Sequence, residues 1–184
     1  MSTISEVIIK DHRQLEQYYN KILASSDHDH QVRFGNQFTW ELARHFVGEE
    51  LVVFPAFEKY LDGKGHEMAE HDRSDHQLIK ELLKSFQNMK PTDSNYVDRL
   101  QGLWAMLSQH IEDEEKNDLP ALEDALTTVE KASSSIAKSF GRAKAFVPSR
   151  SHPIAGENPP FATAVGLLSA PIDRLTDIFR KFPD

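Results

Sequence analysis

His45-Phe46-Val47-Gly48-Glu49-Glu50, followed by Pro55-Ala56-Phe57-Glu58, recurs along the chain as His110-Ile111-Glu112-Asp113-Glu114-Glu115, followed by Pro120-Ala121-Leu122-Glu123. Both copies spell His-x3-Glu-Glu-x4-Pro-Ala-apolar-Glu. A second shared phrase stands upstream of each, Asp11-His12-Arg13-Gln14-Leu15 before the first and Asp75-His76-Gln77-Leu78-Ile79 before the second. His12 and His45 are 33 residues apart, His76 and His110 34. The repeating unit is therefore a pair of helices, with matched side chains directed at one centre.

Periodicity supports this. From about residue 3 to 25, Ile8, His12, Leu15, Tyr19 and Ile22 recur at steps of three and four, one buried helical face. A second helix, about 31 to 61, carries Phe38, Leu42, His45, Glu49, Val52 and Ala56 on its core stripe. A third, about 66 to 90, follows a turn marked by Gly63 and Gly65 and carries Ala69, Asp72, His76, Ile79, Leu83 and Phe86. Pro91-Thr92-Asp93-Ser94 stops it and caps a fourth, about 94 to 132, with Leu103, Leu107, His110, Glu114, Asn117 and Ala121 in register with the second. Short loops between four helices predict an all-α, up-down-up-down four-helix bundle over residues 1–132. Pro55 and Pro120 fall inside predicted helices, where a missing donor and a ring clash should bend or break the rod. Residues 133–184 read as a C-terminal extension, an extended arm closing with a short helix and packed on the bundle through Phe146, Phe161, Leu167, Leu168, Leu175 and Phe179.

The core stripes carry the chemistry. Residues four apart lie about 40° from each other around a helix, so His45 with Glu49 and His110 with Glu114 point into one volume. With His12 and His76 at the same depth, the core would hold four imidazoles and two carboxylates. Two uncompensated buried carboxylates cost several kcal/mol each, and a pair of divalent cations would offset that cost. Asp72 occupies an inward position one turn before His76, which makes it a seventh candidate ligand. His71 is five residues from His76, about 140° around the helix, and is placed at the edge of the site or on the surface. Nitrogen and oxygen donors without sulfur suit iron, manganese, zinc or copper. The remaining members of the acidic runs read as a solvated face, and Lys138, Arg142, Lys144 and Arg150 as a solvated basic stretch.

Composition narrows the partners. The chain carries 29 acids against 21 Lys and Arg, a formal charge of −8, which argues against nucleic acid. It has no cysteine, so it has neither disulfides nor thiolate ligands. No apolar run approaches the ~18 residues of a membrane span, and the N-terminal stretch lacks a signal peptide's apolar core. The expectation is a soluble, cytoplasmic protein.

These motifs resemble those of the hemerythrin-like family, the HHE cation-binding domains, over about residues 3–130. The arm, with Phe146-Val147-Pro148-Ser149-Arg150-Ser151-His152-Pro153 and Ala170-Pro171-Ile172-Asp173, is similar to the C-terminal extension of fungal members. The resemblance implies two metal ions, taken as iron, with His12 and His45 on one, His76 and His110 on the other, and Glu49 and Glu114 bridging; Glu115 is the fallback bridge. Asp72 stands where the family's oxygen carriers have a fifth histidine, a departure that favours oxidised metals and reaction over release. The implied function is a non-heme di-iron protein that binds dioxygen and activates it to oxidise a small organic molecule, an oxidoreductase. The alternative is an oxygen- or iron-binding carrier, sensor or store without a substrate. The family's ferritin-like competitor expects Glu-x-x-His on two helices, and none of the helix histidines has it.

Overall fold

Thr3 accepts a hydrogen bond from the backbone N–H of Glu6, whose carboxylate accepts one from Thr3 in return. This capping box starts α1 (Ile4–Leu23) by satisfying two N–H groups that a helix end leaves free. Asp27 caps α2 (His28–Tyr60) by accepting a single hydrogen bond from the N–H of Asp29. The computed structural model describes residues 2–153 and 161–184. In it α3 (Asp62–Phe86) and α4 (Tyr96–Asp113) complete the bundle, and α4 runs through a π-helical turn (Glu114–Asp118) into α5 (Leu119–Leu126). Two further helices follow, α6 (Ala132–Phe146) and α7 (Phe161–Asp177). All regular structure among the described residues is helical. α1 and α3 each pack against α2 and α4, the ring of an up-down-up-down bundle.

Two apolar clusters fill the bundle. One gathers Leu15, Ile22, Phe38, Leu42, Phe46, Ile79, Leu83, Leu103 and Leu107. The other gathers Ile4, Ile8, Val53, Phe54, Phe57, Ala69, Leu119, Leu122 and Phe140. His12 falls in sequence between Ile8 and Leu15, and His76 between Ala69 and Ile79, so a polar layer separates the two cores.

Three local expectations are corrected. Gly63 and Gly65 lie within α3; the turn before it is made by Leu61 and by Asp62, which adopts a positive φ of 49°. Gly65 serves close approach instead, since a Cβ there would meet the carbonyl oxygen of Phe57 at 2.0 Å. Asp93 accepts from the N–H of Lys90, while no side chain caps α4.

The third correction concerns the two prolines. α2 continues through Pro55, but the second copy of the phrase opens into the π turn, where the N–H of Leu119 reaches the carbonyl of Glu114. The wider turn adds one residue just before Pro120. Leu119, Leu122 and Leu126 are buried, as the counterparts of the first two, Phe54 and Phe57, are in α2, while Asn117 is exposed and Ala121 only half-buried.

The segment expected to run extended from residue 133 begins as a regular helix. Phe140 and Ala137 of α6 sit in the apolar cluster, which gives this stretch a buried face and so a reason to coil. The apolar residues named for docking the arm do something else. Phe146, Leu168, Leu175 and Phe179 are exposed, and the side chains of Phe161 and Leu167 lie outside the described residues. Polar contacts tether the rest: Ser151 donates to the carbonyl of Lys80, and the N–H of Arg150 and the His152 ring meet Asp173. No described helix is long and apolar enough to cross a membrane.

Candidate metal centre

The four histidines come from four different helices, and each is placed by the stripe that buries its neighbours. His12 and His76 are 0 % exposed, His45 1 % and His110 3 %; Glu49 is 0 % and Glu114 1 % exposed. The Nε2 atoms of His12 and His45 are 3.2 Å apart, and those of His76 and His110 likewise 3.2 Å. Glu49 spans the two pairs, with Oε1 3.0 Å from His45 Nε2 and Oε2 3.3 Å from His76 Nε2. Glu114 places Oε2 3.3 Å from His12 Nε2. Two triads result, His12–His45–Glu49 and Glu49–His76–His110, each with its donor atoms within 4.8 Å of one another.

Behind each imidazole stands a carboxylate. Nδ1 of His12 lies 2.8 Å from Glu115, that of His45 3.3 Å from Asp11, that of His76 3.1 Å from Glu50 and that of His110 3.7 Å from Asp75. A carboxylate can only accept, so it draws the ring proton to Nδ1 and leaves the Nε2 lone pair facing the centre. Lone pairs 3.2 Å apart repel unless a proton or a cation lies near both. The oxygens of Glu49 and Glu114 make the same point: with the ring protons drawn to Nδ1, none of the four has a hydrogen-bond donor among the described residues. A donor set of four imidazoles and two orphaned carboxylates fits a pair of divalent cations.

These backing carboxylates correct the sequence reading. Glu50 and Glu115, expected on a solvated face or as a fallback bridge, are largely buried behind His76 and His12. The signal was present in the repeat: both upstream histidines follow an aspartate and both downstream glutamates are doubled. Lys144, expected in a solvated stretch, is buried and donates to Asp11 and Glu41. Lys80 donates to Glu50 and Arg13 to Glu115.

Asp72 is 3 % exposed and its Oδ2 has no hydrogen-bond partner among the described residues, but it lies outside both triads. Burial, reinforced by Asp118, pushes its carboxyl up to about 8. Asp118, which no sequence feature singled out, is pushed up to about 6 by burial and by Glu114. His71 is exposed, 3.8 Å from Asp75. Tyr19 stacks on Trp104 at 4.5 Å, and the Arg44 guanidinium covers Trp40.

Without metal the layer holds protons. Burial alone would lower His45, but Glu49 and Asp11 outweigh it and hold the ring up at about 10. His12 is raised against burial by Glu114 and Glu115, and His110 by Asp75 and Glu114. Glu49, despite burial, is held well below the carboxylate range by His45 and His76.

The comparisons with known proteins agree with this geometry. The model of the hemerythrin HHE cation-binding domain matches residues 3–122. The chain belongs to the hemerythrin HHE cation-binding family. An uncharacterized hemerythrin-like protein of Schizosaccharomyces pombe is 51 % identical over 183 residues, covering 100 % of this chain and 89 % of the relative. No solved structure matches. Family membership accounts for the bundle and for the His/Glu clusters able to hold metal, and the hemerythrin match spans all seven candidate residues, His12 to Glu114.

The protonation pattern has a measurable consequence. Asp72, Asp118 and His45 have raised values in the metal-free fold, so their contributions are present at acidic pH and lost as pH rises through about 6, 8 and 10 in turn. The lowered carboxylates act oppositely, but only below their unfolded value of about 4. Metal-free protein should therefore lose several kcal/mol between pH 6 and 8.5, about 1.4 for each pH unit over which one of these groups is protonated only when folded, with a fall in Tm to match. Metal uptake displaces the same protons, so the gap in Tm between loaded and chelated protein should widen over that range. Melting curves with and without chelator test both; a gap that narrows with pH contradicts the assignment.

Proposed function

We propose that this hemerythrin-like protein is a non-heme di-iron protein that binds dioxygen. His12 and His45 would hold one ion, His76 and His110 the other; Glu49 would bridge, and Glu114 would complete the His12 side. The observation that carries this reading is the pair of Nε2···Nε2 approaches of 3.2 Å on either side of Glu49, whose oxygens face those same nitrogens at 3.0 and 3.3 Å. Two ferrous ions would supply the electrons with which dioxygen is bound or reduced. The residues supply the rest. Asp11, Glu50, Asp75 and Glu115 fix the four rings and their tautomers, and Phe46, stacked on His76 at 3.8 Å, helps exclude water.

Burial of every candidate ligand at 3 % or less favours a ligand of diatomic size over an organic molecule bound at the ions. That supports the carrier, sensor or store reading. Asp72 supports the other, oxidation of a small organic molecule, because an additional carboxylate near the ions stabilises their oxidised state. Anaerobic loading with ferrous iron, admission of oxygen, and a count of iron per chain separate the two. A visible band that vanishes when oxygen is removed means carriage or sensing, whereas irreversible conversion to ferric iron means oxygen activation. Iron well below two per chain overturns the di-iron reading.

Asp72→Ala is expected to lower retention of the His76-side ion about 10-fold if its carboxylate completes that side, a size typical for groups supporting a metal site. Unchanged occupancy and spectrum would remove it from the ligand set.

A further inference from the structure

The two copies of the phrase differ at one telling position, Gly48 in the first and Asp113 in the second. α6 lies against Gly48: a Cβ there would come within 2.9 Å of Phe140 and 3.1 Å of the Lys144 Cγ. The approach brings two side chains to the His45 half of the centre. Phe140 meets the His45 ring edge-on, with centroids 6.0 Å apart and planes at 88°. Lys144 passes between Asp11 and Glu41 and donates to both, while Asp11 stands behind His45 Nδ1.

Three of the four backing carboxylates have a Lys or Arg partner. Arg13 on Glu115 and Lys80 on Glu50 come from bundle helices and sit close in sequence to the histidines they serve. Asp75 has none among the described residues, and is 27 % exposed beside His71. Asp11 alone receives its cation from outside the bundle. A buried lysine is a poor way simply to dock a helix, since an apolar side chain of similar volume would serve as well or better. Its charge and its two directed hydrogen bonds fix where the Asp11 carboxylate stands, and Asp11 in turn fixes the His45 ring.

We propose that Lys144 is a positioning residue for the His12–His45 half of the centre, so that α6, beyond the four-helix core, governs how firmly one of the two ions is held. The proposal rests on the two-ion reading above. The test uses the full chain loaded with cobalt(II) and follows release of each ion to a chelator. Lys144→Met is expected to speed release of one ion about 10- to 100-fold while leaving the other at its wild-type rate. Lys144→Arg should restore most of the retention, and Lys80→Met should speed release of the other ion. Melting of the metal-free variants reports packing alone, and Lys144→Gln, one atom shorter and still a donor but without the charge, replaces the methionine variant if that does not fold. Wild-type release of both ions from Lys144→Met, or equal acceleration of both, overturns the proposal. Wild-type protein that takes up no pair of cobalt ions overturns the two-ion reading itself, and the proposal with it.

Discussion

Glu49→Gln is expected to cost metal retention more than any other single substitution in this chain. Glu49 is the residue common to both triads, 3.0 Å from His45 and 3.3 Å from His76 through different oxygens. The amide keeps the volume but removes the charge and turns one donor atom into an N–H₂ group directed at imidazole lone pairs. On the two-ion reading, affinity should fall by more than about 100-fold, beyond the usual effect of losing an outer partner. The metal-free fold should lose less, because the amide keeps the volume and the neighbouring His45 and His76 can give up the protons that the Glu49 charge holds on them. Equilibrium metal titration beside melting of the chelated protein separates the two effects. Retention within a few-fold of wild type would show that Glu49 does not hold metal.

Phe46→Ala should produce the largest loss of stability. Phe46 is 0 % exposed, lies in the larger apolar cluster, stacks on His76 at 3.8 Å and meets His110 edge-on at 5.9 Å. Removing a buried ring leaves a cavity its neighbours fill only in part, at about 3–5 kcal/mol. The cavity would border the polar layer, so water could enter beside His76 and His110 and metal release should quicken. Denaturant titration of the chelated protein measures the first effect and chelator challenge the second. A stability loss below about 1 kcal/mol would mean that the site relaxes around the missing ring.

Much of this was legible because helices impose a period. The stripe Ala69, Asp72, His76, Ile79, Leu83 and Phe86 reads directly as the buried face of α3, and the repeated phrase places equivalent histidines at equivalent depths. Where the period breaks, the sequence is silent. The two copies share their proline spacing, yet α2 passes through Pro55 unbroken while Pro120 follows a π turn; Ala56 is buried and its counterpart Ala121 only half-buried, although Phe57 and its counterpart Leu122 are both buried. Identical spacing cannot predict the difference, because packing around each proline selects the turn.

The sequence by itself determined that four helices bring matched histidines and glutamates to one buried layer, since helical periodicity and burial are local consequences of residue order. Only the tertiary structure decided which carboxylate backs which ring. His12 is served by Glu115, 103 residues away, and His45 by Asp11, itself held by Lys144 133 residues on. Such pairings depend on how helices rotate and cross, and on a glycine at position 48 that lets α6 come close. No period along the chain encodes those distances.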